Sequence, residues 1–333
     1  MPASVLRVVY LGREQRSTWG ASTKTPTVKL MGLTEATVSI VPTVDTPELV
    51  GTLAPGTVAA LAEIHGEGAI EQRASYQDIC YWLDGIFRPA TASAAANTTY
   101  TYNYIAPLSA STKPSHYTVN FGTTDACYEM DGAIPNNLTI GVESGQVWTM
   151  GVDLLGHSVT TAAAGTSADR DVDLIKASDT TVYIDSWTTS TMGTTTVAAT
   201  LISAELTVNP GRHLKTFVGA IAPAAYGENR WEGQLVTVLE FNATAKAYVD
   251  ALIGPTAALV QRQIRLKATQ GTTTATRLCQ IDFAGTLVDN VELFGDRDGN
   301  MTVSLTWNGT VNTKWSTDSW IRAKVTNNLS VLP

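Results

Sequence analysis

Strict alternation of apolar and polar residues is the feature of this sequence that most constrains its fold. Three segments show it most clearly, residues 148–154, 201–208 and 301–307. In the first, a Trp, a Met, a Val and a Leu alternate with Thr, Gly and Asp. Successive side chains of a β-strand point to opposite faces of its sheet, so a period of two is typical of strands with one buried face. The sequence therefore predicts a mainly β protein.

Two short segments follow the period of a helix instead. The first begins at Ser75, with Asp78 three residues later as in a capping box, and stops near Gly85. The second begins at Asn242, a residue type that caps helix N-termini, and stops at the Gly-Pro pair of residues 254–255. One helix in each half of the chain suggests a duplicated unit.

Two stretches of the chain carry the same order of motifs. One begins at Cys127 and the other at Cys279, and each reads as a strand, a turn, a second strand, a Gly-containing hairpin and an alternating strand. A Glu-Gly pair precedes each predicted helix, at residues 67–68 and 232–233. Internal similarity of this kind indicates a repeated structural unit. We therefore expect two copies of one β-rich unit, each with one flanking helix.

Composition shifts suggest where the copies begin and end. Residues 160–179 are rich in Ala, Ser and Asp, which is typical of a linker. Strands are expected to open the two copies at residues 27–31 and 181–187. The expected organisation is an N-terminal arm (1–25), a first domain (26–159) with a long loop (88–115), a linker (160–179), a second domain (180–315) and a C-terminal arm (316–333).

The charge balance limits the partners of the chain. Charged residues make up 16% of the sequence, below the roughly 25% of ordinary soluble domains. The net charge is -8, the pI is about 5.0, and Lys and Arg are not clustered. Binding DNA through its phosphates requires such clusters, so this class of function is disfavoured. The acidity either serves solubility alone or lines a wall along which DNA slides without sticking.

Cysteine usage and the lack of long apolar runs indicate the cellular compartment in which the chain is made. Cys80, Cys127 and Cys279 are odd in number and far apart, so we expect buried thiols rather than a disulfide framework. The N-terminus has no basic segment followed by an apolar one, and no run of about 18 apolar residues occurs. We expect synthesis in the cytoplasm and no membrane partner.

No motif in the sequence predicts a metal site. The four histidines lack the spacing of zinc ligands; they are His65, His116, His157 and His213. Residues 296–300 start like a calcium loop, but the Gly is misplaced and Trp307 stands where a bidentate Glu should close the loop. A hairpin turn is the favoured interpretation of that segment.

Catalytic motifs are equally sparse. The glycines at 66, 68 and 85 do not form a phosphate-binding loop before a helix, and no G-x-S-x-G motif occurs. Sequence alone leaves open a carboxylate pair of the kind that glycosidases use, since many acidic residues are present. Trp148, Trp187 and Trp307 lie on or beside strand patterns, which favours core or interface roles over sugar binding. We expect no catalytic, cofactor-binding or metal-binding residues.

Five further segments stand out by their order and spacing along the chain. They are WGASTKTPTVKLM (19–31), TYTYNYIAP (99–107), HYTVNFG (116–122), residues 201–211 and LEFNATAKA (239–247). As an ordered set, these segments resemble the tail tube proteins (major tail proteins) of long-tailed, siphophage-type bacteriophages in a tandem two-domain form. The resemblance covers most of the chain, and it lies in the ordered set rather than in any single segment.

The resemblance implies a fold and an assembly. Each domain would be a β-sandwich or barrel-type unit with one helix, and inner strands would join those of neighbouring subunits in a continuous β-barrel around a channel. Single-domain members of the family stack as hexameric rings, so a tandem chain implies a trimeric, pseudo-hexameric ring. Residues 1–25, 88–115 and 316–333 would bridge to adjacent rings and become ordered on assembly.

The resemblance also implies a function. The chain would be a structural virion protein, not an enzyme and without a cofactor, that self-assembles into the tail tube through which genome DNA is ejected. Its partners would be itself and other tail proteins such as the tape measure, tail terminator and distal tail proteins, with DNA passing through the lumen unbound. It would assemble in the host bacterial cytoplasm and reside in the virion tail. The alternatives are a β-sandwich receptor-binding or capsid decoration module of a phage particle, and a carbohydrate-active enzyme.

Overall fold

A computed structural model of the chain confirms the mainly β fold. Strands dominate the described residues, and two helices accompany them. Side chains are described throughout these ranges except at 292–294. The structure describes residues 8–14, 19–20, 24–46, 59–95, 99–109, 113–123, 126–197, 200–252, 259–271, 276–288, 292–297 and 299–332.

The elements follow one another in two series. Those of the first series are β1 (Val9–Arg13), β2 (Val28–Lys29), β3 (Leu33–Asp45), β4 (Ala60–Arg73), α1 (Ile79–Ile86), β5 (Ser93–Ala94), β6 (Tyr100–Ile105), β7 (Tyr117–Thr123), β8 (Ala126–Glu143), β9 (Thr149–Gly156) and β10 (Ser158–Thr161). Those of the second series are β11 (Thr180–Ser186), β12 (Leu201–Asn209), β13 (Arg212–Lys215), β14 (Ala225–Glu228), β15 (Glu232–Glu240), α2 (Ala243–Asp250), β16 (Gln261–Gln270), β17 (Arg277–Leu287), β18 (Glu292–Arg297), β19 (Asn300–Gly309) and β20 (Ile321–Asn327).

Eight of these strands form one antiparallel sheet, which we call the long sheet. Its order is β3-β4-β9-β8-β12-β15-β19-β18. One face, the core face, carries the alternating apolar residues seen in the sequence, and Met150, Val152, Leu206 and Leu305 are all buried on it. Removing these side chains from water is the main force holding the sheet to its neighbours.

A second layer covers the core face of the long sheet. It consists of the strand sets β2-β1-β7-β8-β10 and β11-β16-β17-β20-β6-β5, together with the two helices. Phe121 of β7 comes so close to Gly68 of β4 that a Cβ there would lie 3.3 Å from its ring. Tyr248 of α2 packs edge-on against Trp307 of β19. The opposite face of the long sheet has no covering layer among the described residues.

The strand pairings repeat between the two halves of the chain. Each of the following elements of the first copy has an equivalent with the same neighbours in the second. β3 corresponds to β12, β4 to β15, α1 to α2, β7 to β16 and β9 to β19, while β8 corresponds to β17 and β18 together. β11 pairs with β16 as β1 pairs with β7. The counterpart of β11 is therefore β1, and not residues 27–31 as the sequence suggested, because strand pairing rather than chain order sets equivalence.

The helix starts depend on local hydrogen bonds. Asn242 caps α2, its side-chain oxygen accepting from the N–H groups of Thr244 and Ala245 at 2.9 and 3.0 Å, which confirms the predicted start. The hydroxyl of Ser75 accepts from the N–H of Asp78 at 3.0 Å. The backbone of Ser75 forms an isolated β-bridge, so α1 begins later than predicted, at Ile79. The predicted end of the second helix, residues 254–255, lies outside the described residues.

The segment expected to be a linker packs against the first copy. β10 occupies its first residues, and Ile175 further along is fully buried. Arg170 donates to the carboxylate of Asp78, at the start of α1, and to the carbonyl of Lys29. These contacts hold the segment against the N-terminal end of α1.

The segments expected to be arms differ from the expectation as well. β1 pairs with β7, and β20 pairs with β17 and with β6 of the loop 88–115. Their described residues are therefore ordered within the chain itself, because their backbone hydrogen bonds are made inside its own sheets.

Candidate assembly edges and exposed sheet face

The two copies are joined by an internal seam between β8 and β12. Ile140 lies opposite Leu206, and Leu138 lies opposite Val208. All four side chains are on the core face and almost fully buried. The seam thus combines a ladder of backbone hydrogen bonds with an apolar contact on one side.

The long sheet ends in two edge strands, β3 and β18. Within the described residues β3 pairs only with β4, and β18 pairs only with β19. Each edge leaves a row of backbone N–H and C=O groups that another strand can complete. β3 is 13 residues long and carries Ile40 and Val44 half exposed, so exposed apolar side chains accompany its free backbone groups.

The uncovered side of the long sheet is strongly acidic, and we call it the acidic face. Glu35 lies directly opposite Glu71, and Asn137 lies opposite Asp153. Its cationic side chains, among those described, are Arg73 and Arg297. Its carboxylates are those of Glu35, Glu63, Glu67, Glu71, Glu143, Asp153, Glu205, Glu232 and Glu240.

One ion pair shows that the long sheet bends toward its acidic face. The guanidinium of Arg297 lies 3.0 Å from the carboxylate of Glu143, although β12, β15 and β19 separate their strands. Strands are spaced about 4.8 Å apart, so a flat sheet would separate β8 from β18 by roughly 19 Å. The contact therefore requires a concave surface between the two hairpin tips.

A buried arginine fixes the second copy on the first. The side chain of Arg212, fully buried at the start of β13, donates to the carbonyls of Gly85 at 2.6 Å and Ile86 at 2.8 Å, and to that of Pro135. Its Nε donates to Glu228 at 3.0 Å. A cation is favoured at a helix C-terminus, where carbonyls lack partners. Burial lowers the pKa of Arg212, and Glu228 opposes that shift.

The histidines singled out in the sequence are dispersed. His65 lies on β4 between Glu63 and Glu67, and His157 follows β9 beside Asp131. His116 is buried next to Glu14, and His213 is exposed on β13. The described residues contain no group of three or more His, Cys, Asp or Glu side chains arranged to hold a metal ion.

The other sequence candidates take structural positions. Arg297 pairs with Asn300 at the tip of the β18-β19 hairpin, and the Gly299 N–H donates to Asp296 at 2.8 Å, so the prediction of a turn is confirmed. All three cysteines are buried free thiols, as predicted. Trp148 and Trp307 are buried, and Trp307 donates to Thr237 at 3.1 Å.

Sequence reasoning missed Arg212 and the two free edges. A single Arg in a Gly- and Pro-containing turn has no signature that marks it as buried. The signal that was present is the match between residues 36–44 (ATVSIVPTV) and 204–212 (AELTVNPGR), which aligns Pro42 with Pro210. It indicates that the strands at the two places are equivalent.

Comparisons with known proteins add no identification. No protein-family model matches the sequence, and no curated protein matches it either. In the described part of the chain, neither helix has the length and apolar character needed to cross a membrane.

Proposed function

We propose that the chain is a structural virion protein, the tail tube subunit of a long-tailed bacteriophage, which self-associates into stacked rings around a DNA conduit. The observation that carries the proposal is the relation between the internal seam and the free edges. β8 joins β12 inside the chain, and their equivalents in the repeat are β18 and β3, which face outward at opposite ends of the same sheet.

Head-to-tail joining of these edges follows from the same geometry. A heterologous contact closes into a ring when the rotation between subunits allows it. β18 of one chain would meet β3 of the next as β8 meets β12, so each added chain extends one sheet by eight strands. Three chains would supply six equivalent units, and closure would remove every edge of the long sheet.

The acidic face supports the role of a conduit. It is concave and uncovered, so ring closure would place its carboxylates around the lumen. Glu35 and Glu71 stand directly opposite each other, an arrangement that costs stability in a sheet. Repulsion between these carboxylates and phosphates would keep DNA from binding as it passes. On this proposal the chain has no catalytic role, and its partners are itself and the other tail proteins.

The proposal is tested by negative-stain electron microscopy of the purified chain over a range of concentrations, with the mass in solution measured in parallel. Hollow rings or tubes of even width, with a mass that is a multiple of three chains, are expected. Monodisperse single chains at every concentration would contradict the proposal. Turnover of a polysaccharide that is lost on a single acid-to-amide substitution would favour an enzyme instead.

A further inference from the structure

The strands β3 and β12 hold the same place in the two copies, residue by residue. Ile40 pairs with Gly66 of β4, and Val208 pairs with Gly233 of β15. Each of these glycines lies under side chains of the second layer, Val159 and Met130 at Gly66 and Trp320 at Gly233. Ile40 is therefore the counterpart of Val208.

The equivalent side chains differ sharply in burial. Val208 is 0% exposed because β8 lies beside it, whereas Ile40 is 51% exposed at the free edge. Four residues further on, Arg212 is buried against α1, whereas its counterpart Val44 is 51% exposed. An apolar pair stands at the free edge where the internal seam has one apolar and one cationic side chain.

The surface that would receive Val44 can be found from the repeat. In the first copy Arg212 bonds to Pro135 and Asn136, and Pro135 belongs to the part of β8 that pairs with β9. The corresponding part of the second copy is the end of β17, where Leu287 pairs with Trp307. The next residue, Val288, is the counterpart of Asn136.

This receiving surface is apolar, and no described residue covers it. Val288 is 50% exposed, and Leu259, on the neighbouring chain segment just before β16, is 70% exposed. The two segments are tied together by a hydrogen bond from the N–H of Leu287 to the carbonyl of Val260 at 2.9 Å. The second copy therefore presents a valine where the first presents the Asn136 amide, with Leu259 beside it.

We propose that Val44 of one chain packs onto Val288 and Leu259 of the next, with Ile40 beside it on the same edge, so that the seam between chains is apolar where the seam within a chain is bonded through Arg212. This inference rests on the proposed function, and it names the residues of the contact between subunits. The occupant is a second copy of this chain, because the internal seam already shows the same surfaces joined.

The difference in chemistry gives each edge one partner. Arg212 placed against Val288 and Leu259 would bury a guanidinium against two apolar side chains that offer it no acceptor. Val44 placed against α1 would leave the carbonyls of Gly85 and Ile86 without a buried donor. A discrimination of this kind combines an attractive contact with a penalty for the wrong one. The order of copies around the ring is then fixed.

The test is site-directed cross-linking in the full chain. Val44→Cys is combined with Val288→Cys, assembled material is treated with a short bismaleimide, and denaturing electrophoresis counts linked chains. The native thiols are buried, so they should not react. A ladder that ends at the number of chains in the ring is expected. The matched control, Val44→Cys with Val331→Cys, an exposed valine near the C-terminus, should stay a single chain.

The outcomes separate this inference from the proposed function. Rings without a ladder, in a variant whose two thiols both react with a monofunctional maleimide before assembly, would overturn the seam and leave the tube intact. Absence of any ring from the unmodified chain would overturn both. As a second measurement, Val44→Arg should raise the concentration needed for assembly at least about tenfold, and adding Val288→Asp should restore it. Failure of the second change to restore assembly would also overturn the seam.

Discussion

Leu206 of β12 lies directly opposite Ile140 of β8, and this pair joins the two copies of the fold within one sheet. Both side chains are buried on the core face. The chain therefore contains one complete example of the contact that its outer edges, β3 and β18, could make with other chains.

Arg212→Met should destabilise the isolated chain. The substitution leaves the carbonyls of Gly85, Ile86 and Pro135 buried without their donor, and it leaves Glu228 without its cation. Breaking a buried charged network of this kind costs about 3 kcal/mol in the free energy of unfolding. Urea denaturation measures the change.

Arg230→Met is the matched control for that experiment. Arg230 is exposed in the connection between β14 and β15, so the same chemical change should alter the free energy of unfolding by less than about 0.5 kcal/mol. Equal effects of the two substitutions would show that Arg212 does not fix the second copy on α1.

The local elements were largely predictable from the sequence. Alternation identified the core strand that contains Met150 and Val152, and a cap residue identified the start of α2 at Asn242. Both depend on neighbours along the chain, where the side-chain period and capping chemistry operate. The duplication was visible for the same reason, because the repeated strands retain the same pattern.

The long-range pairings were not predictable in this way. β6 of the first half pairs with β20 near the C-terminus, and Tyr102 lies opposite Val325. The sequence had suggested that β6 lies in a loop and β20 in an arm. Strand partners are chosen by contacts between distant residues, which local patterns do not encode. Arg212 was missed for the same reason, since its carbonyl acceptors lie 77 to 127 residues earlier.

Ile40→Lys should block assembly and leave the isolated chain folded. The Ile40 side chain is half exposed in the single chain, so the substitution should change the chain's free energy of unfolding by less than about 0.5 kcal/mol. Between chains the ammonium would be buried without a partner. Val208→Lys, at the equivalent buried site, should instead destabilise the chain by about 3 kcal/mol or more. Assembly by the Ile40 variant at normal concentration would contradict the role of β3.

Reversing charge on the acidic face should make assembled material bind DNA. We expect the combined change Glu67→Lys, Glu71→Lys and Glu205→Lys to retain duplex DNA in co-sedimentation at low salt, with retention falling steeply as salt is raised. The unmodified assembly should retain none. Because Glu71 faces Glu35, its reversal should also stabilise the chain by roughly 0.5 kcal/mol.

The control for charge reversal carries the same number of substitutions elsewhere. Asp171→Lys, Asp250→Lys and Asp318→Lys alter exposed residues that are not on the acidic face. We expect this variant to retain no more DNA in the lumen than the unmodified assembly, measured as the DNA that resists nuclease. Equal nuclease-resistant retention by both variants would contradict a lumen lined by the acidic face.

The buried carboxyl of Glu14 should make stability depend on pH. Desolvation raises its pKa above 4.5, although hydrogen bonds from the Gly132 N–H and the Thr118 hydroxyl, both at 2.8 Å, oppose the shift. A raised pKa in the folded state means that folding favours the protonated form. The stabilisation that protonated Glu14 gives the folded state is therefore complete below the pKa of the unfolded state. It is lost as the pH rises through the pKa of the folded state.

Glu14→Gln isolates that contribution, because the amide resembles the protonated acid. Relative to the unmodified chain, the variant should gain stability as the pH rises from about 4 to 7, by about 1.4 kcal/mol for each unit by which the pKa is raised. Urea denaturation across this range measures it. Parallel stability curves for the two proteins would show that the Glu14 pKa is not raised.

Amide hydrogen exchange, compared between isolated chains and assembled rings, tests most directly whether the free edges of the long sheet join between chains. The account predicts slow exchange along β8 and β12 in both states, and a gain of protection on assembly at the outward N–H groups of β3 and β18. Assembled rings in which β3 and β18 exchange as fast as they do in the single chain would contradict it.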